Sequence, residues 1–96
     1  MATDSQEIAA YVSAYMQGAH EAVRAQDIES LVECLSTAVA TYEQHPSCIH
    51  EPTSQLLDLL VFIRSARSLS KTLKREDDDL RELEERAEAL RQSALH

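Results

Sequence analysis

The sequence predicts an all-α protein, an antiparallel three-helix bundle with a long third helix. Three observations carry that expectation. Turn residues are scarce: Gly18 is the one glycine, and Pro46 and Pro52 are the only prolines, in a chain of 96 residues. Most β architectures need a turn every few residues. Apolar residues recur at helical spacing on both sides of position 26, as amphipathic helices require. Residues 53–95 lack Gly and Pro, and their apolar positions follow one alternating seam: Leu59, Phe62, Ala66, Leu69, Leu73, Glu76, Leu80, Leu83, Ala87, Leu90 and Ala94. That is a heptad pattern with a single charged member, Glu76.

A first helix is expected over 5–25. Asp4 can cap it, with Glu7 three residues later in capping-box position. Ile8, Val12, Tyr15, Ala19, Ala22 and Val23 share its apolar face. A second row, Ala10, Ala14, Gly18 and Ala22, repeats every four residues. A mid-helix glycine costs ~1 kcal/mol relative to alanine, so close packing of a neighbouring helix at Gly18 is the expected compensation.

A second helix is expected over 28–44, capped by Asp27. Ile28, Leu31, Val32, Leu35, Ala38, Val39 and Tyr42 form its apolar face, and Glu29, Glu33, Ser36 and Glu43 lie opposite. Only Gln26 and Asp27 separate the two helices, and so short a link makes an antiparallel hairpin over 4–44. Residues 45–52 form the one clear break, because positions preceding Pro46 and Pro52 are pushed out of helical geometry. Ile49 is the apolar residue in this loop and is expected to plug the bundle's end.

The third helix opens at Thr53 or Ser54. Leu56, Leu57, Leu59, Leu60, Val61, Phe62 and Ile63 are apolar nearly all round, which predicts burial on every side. Residues 53–75 therefore read as the core helix of a single domain, and 76–95 as an amphipathic extension. Unbroken, 53–95 would be ~64 Å long, more than twice the reach of the hairpin. Continuation is favoured because no Gly or Pro intervenes. The alternative is a break near 76–79 into a fourth helix, since Asp79 and Glu82 make an N-capping pair.

Charge narrows the function. Net charge is −8, and residues 1–52 carry eight acids and one base, Arg24. An acidic half argues against nucleic acid and anionic membrane as partners. The first residues are polar, without the apolar run of a signal peptide, and no stretch approaches the ~20 apolar residues of a membrane span. Two cysteines, Cys34 and Cys48, are too few for a disulfide framework. A cytoplasmic protein with reduced thiols is the expectation.

Leu73, Leu80, Leu83, Ala87, Leu90 and Ala94 are the expected partner-binding seam. A parallel in-register homodimer would set Asp79 against Glu84 and Arg86 against Arg91, both like-charged. A partner helix from another protein, an antiparallel homodimer, or fold-back fits better. Arg64, Arg67, Lys71, Lys74 and Arg75 form a basic stripe, with no acid between 59 and 75. It reads first as a solvated face and second as a docking stripe for an acidic partner. His45, Cys48 and His50, with Cys34 or His20 as a further donor, are the one metal-like group, but H-x2-C-x-H is no standard zinc spacing. The acids 76–79 point in different directions along a helix and lack a calcium loop's glycine. No phosphate loop, nucleophile elbow or HExxH motif is present.

The sequence therefore predicts a non-catalytic protein–protein interaction module without a cofactor. It would be a small subunit, adaptor or assembly chaperone pairing its C-terminal helix with a partner helix. The alternatives are a chaperone for a secreted helical client, and a metal- or ligand-responsive regulator using His45, Cys48 and His50.

Overall fold

A computed structural model describes residues 5–49, 52–73 and 78–94. The fold is all-α and contains four helices: α1 (Ser5–Ala25), α2 (Ile28–Gln44), α3 (Pro52–Thr72) and α4 (Asp78–Ala94), with a single 3₁₀ turn over Pro46–Cys48. The expected three-helix count is therefore corrected to four. None of the described helices is long and apolar enough to cross a membrane.

The α1–α2 hairpin forms as the sequence dictates. Asp27 caps α2, its carboxylate accepting from the Ser30 backbone N–H at 3.2 Å and from the Ser30 hydroxyl at 2.8 Å. The end of α1 is a Schellman turn. The Asp27 N–H donates to the Ala22 carbonyl at 2.9 Å and the Gln26 N–H to the Val23 carbonyl at 3.0 Å. This places Gln26 at φ 56°, in the left-handed region, where glycine is the usual occupant. The helices approach closely at Gly18: a Cβ there would sit 3.1 Å from the Cys34 sulfur. The expected close packing at Gly18 is present. Ala10 and Ala14, in the same row, remain exposed.

The apolar faces meet in one core. Ile8, Val12, Ala19 and Ala22 of α1 are buried, as are Ile28, Leu31, Leu35, Ala38, Val39 and Tyr42 of α2. Ile49 packs partly buried against this core, in the plug position expected of it. On α3, Leu56, Leu59, Leu60, Ile63 and Ala66 are buried, but Leu57 and Val61 are 38% and 52% exposed. Burial on every side of α3 is thus corrected to burial of one face, with Leu57, Val61 and Arg64 on the exposed one.

The expected long third helix is the larger correction. The Arg67 guanidinium lies 3.1 Å from the Glu84 carboxylate. In one straight helix those seventeen positions would span ~25 Å. The longest dimension of the molecule is 43 Å, too short for a ~64 Å helix. The chain reverses between Thr72 and Asp78, and α4 returns along α3. Glu76, which marked the change of role within the seam, lies outside the described residues, as do Asp4, Lys74 and Arg75.

The physical reason is burial. Leu80, Leu83 and Ala87 are 0%, 2% and 0% exposed. Leaving the two leucines in water would forgo ~3–6 kcal/mol, a large part of the ~5–15 kcal/mol that holds a small domain together. Packing is closest between α1 and α2, α3 and α4, and α2 and α4. The remaining edge, α1 against α3, is looser than these three.

Candidate functional site

The sequence-derived site residues divide into three groups. Of the seam, Leu80, Leu83 and Ala87 are buried within the chain's own core, Leu73 and Leu90 are partly buried against it, and Ala94 is exposed. The seam is occupied by α2 and α3, so it presents little free surface in this fold. Of the basic stripe, Arg64 and Arg67 turn toward α4. Arg67 pairs with Glu84 at 3.1 Å, and Arg64 lies 3.7 Å from Glu84 and 3.9 Å from Glu88. Lys71 is exposed beyond them. The acidic complement of this stripe is α4. On the other flank of α4, Arg86 makes a two-pronged contact with Glu43 of α2, its Nε donating at 3.2 Å. That hydrogen bond and charge raise the Arg86 guanidinium further above its usual range.

These ion pairs are partly exposed, Arg64 by 55%. Such pairs contribute ~0.2–1 kcal/mol each. The apolar seam therefore drives the fold-back, and the charges set its register. A recess of about 420 Å³ beside Arg64 is lined by Glu84, Glu85, Glu88 and Gln92. It is the outer side of the same clasp.

The third group is the metal-like loop. Cys48 is buried and His45 half-buried, while His50 lies outside the described residues. Among the described residues no three His, Cys, Asp or Glu side chains assemble into a donor set. The His45 backbone N–H donates to the Thr41 carbonyl at 3.1 Å and its carbonyl accepts from the Cys48 N–H at 3.0 Å, so this residue's backbone closes the turn. Burial, with the charge of Glu33, pushes the Cys34 thiol up, away from the thiolate that a nucleophile needs.

What sequence reasoning missed is a groove along the loose α1–α3 edge. Its volume is about 390 Å³. Buried Val12, Tyr42 and Leu59 floor it. Ala9, Ser13, Met16 and His20 form the α1 wall, and Gln55, Asp58 and Phe62 the α3 wall. The walls touch where the His20 ring meets Phe62 edge-on, with centroids 4.6 Å apart, a favoured aromatic geometry. Burial raises the Tyr42 hydroxyl, a side-chain hydrogen bond with Gln55 opposes this, and the charge of Asp58 raises it further. No ion pair among the described residues engages Asp58. A signal for the wall existed in the sequence: Ala9, Ser13, Met16 and His20 are spaced 4, 3, 4. It was hidden because small, polar and apolar residues alternate along it.

Compared with protein-family models, with curated proteins and with solved structures, the chain matches none.

Proposed function

We propose that the protein is a non-catalytic protein-interaction module, a helical subunit, adaptor or assembly chaperone of the cytoplasm. One observation carries the reading: the loosely packed α1–α3 edge holds a groove, with buried Val12 and Leu59 in its floor and Ser13, His20, Gln55 and Asp58 in its walls. A groove between two helices is a recurring seat for a third. Binding through Leu80, Leu83, Ala87 and Leu90 would need α4 to leave the core, whereas the α1–α3 edge needs no rearrangement. Both cysteines are free, which suits a reducing compartment.

The test is site-specific photocrosslinking in the native host. A benzophenone amino acid replaces Gln17, exposed on α1 beside the groove wall without lining it, or Gln92, on the outer face of α4. The reading predicts a discrete protein adduct from position 17 and none from position 92. Adducts of equal yield and identity from both positions, or none from position 17, would contradict it.

A further inference from the structure

The groove's shape and charge name the partner's chemistry, an inference that rests on the interaction-module reading. From Ala9 to His20 the α1 wall runs eleven positions, ~16 Å of helix and so about three turns. The opposite wall is Gln55 to Phe62 of α3. An extended peptide would leave its backbone amides unpaired here, because the walls are helices whose own backbone groups are already bonded. A helix brings its backbone satisfied.

Charge selects among helices. Asp58 is a carboxylate in the groove wall with no ion-pair partner among the described residues. The groove lining includes no lysine or arginine, and Glu7 and Glu21 flank the α1 wall in sequence. A second copy docked face to face would set like charges together, and so would an acidic helix.

We propose that the α1–α3 groove is filled by an amphipathic helix of another protein, about three turns long. Its apolar ridge lies over Val12, Met16, Leu59 and Phe62, and its flank carries a lysine or arginine against Asp58. The occupant's pattern is apolar residues at i, i+3 or i+4, and i+7, with the base beside them.

Selection from a displayed library of helical peptides tests this. The peptides share an apolar ridge and have randomised flanks, and the bait is the full-length chain. Selection is expected to enrich Lys or Arg at one flanking position. Asp58→Asn is expected to lower the affinity of the selected peptides about three- to fivefold, in keeping with a partly exposed charge pair. Asp58→Lys is expected to turn the enrichment toward Asp and Glu. Ser13→Tyr, which fills the groove from an exposed position, is expected to weaken binding at least tenfold while leaving the helical circular dichroism unchanged. Enrichment without charge preference, or binding indifferent to Ser13→Tyr, overturns the proposal. So does a dimer of the isolated chain, seen by light scattering, that Ser13→Tyr dissociates. A charge-blind selection alongside a position-17 crosslink would sink only this inference and leave the interaction module standing. Loss of the crosslink sinks both.

Discussion

Leu83→Ala measures what the return of α4 contributes. Leu83 is 2% exposed, on the α4 face turned to α2 and α3. Truncation removes its transfer free energy and leaves a cavity in a close-packed core, costing ~2–5 kcal/mol. The neighbouring Arg67–Glu84 pair has side chains 33% and 23% exposed, so Arg67→Ala should cost no more than ~1 kcal/mol. The order of these losses is the substance of the claim that burial drives the fold-back and charge only aligns it. Urea unfolding followed by circular dichroism is the assay. With a slope near ~1.5 kcal/mol/M, a ~3 kcal/mol loss lowers the midpoint by ~2 M. Ala89→Ser, on the exposed side of α4, is the control and should stay within ~0.5 kcal/mol. A Leu83→Ala midpoint matching the control would refute the reasoning, since it would mean α4 spends its time in water. A larger loss from Arg67→Ala than from Leu83→Ala would refute the ranking.

Three further outcomes are expected. Gln26→Gly should stabilise the chain by ~0.5–1 kcal/mol, because it relieves a left-handed residue at the C′ position of α1; a loss of thermal stability would show that the Gln26 side chain matters more than its backbone. Gly18→Ala alone presses a Cβ to 3.1 Å from the Cys34 sulfur, so its helix-propensity gain of ~1 kcal/mol should appear only when Cys34→Ala is also present; additive single-mutant effects would remove the close approach from the account. Tyr42 has its folded-state value raised above the unfolded ~10. Its contribution is therefore fully present below pH ~10 and is lost as pH rises beyond it. Between pH ~9 and ~11 the wild type should lose more stability than Tyr42→Phe, and parallel curves would contradict the assignment.

The hairpin was legible because local and tertiary signals agree there. Asp27 caps, the Ile28-to-Tyr42 face is buried, and the two-residue link leaves no choice of topology. The reversal before α4 was not legible as the favoured reading, because it carries neither Gly nor Pro and the heptad phase passes through it undisturbed. What distinguishes the two outcomes is tertiary. On α3, Leu59 and Phe62 line the α1 side while Arg64 and Arg67 turn to α4. Two faces of one helix thus serve two neighbours, and a single seam could not report that. The apolar circumference of α3 did hint at it, and the exposure of Leu57 and Val61 shows where the hint overreached. The groove was invisible for a related reason. Its floor is ordinary core, and only the looseness of the α1–α3 edge makes it a surface. No pattern in α1 or α3 alone encodes that spacing.

The central claim is that α4 returns along α3 and closes the core. Spin labels on Val61→Cys and Gln92→Cys, in a Cys34→Ala, Cys48→Ala background, test it most directly. The side-by-side packing of α3 and α4 predicts a label separation under ~20 Å, with helix axes ~8–10 Å apart. A separation near ~46 Å, the span of thirty-one residues in one continuous helix, would contradict it.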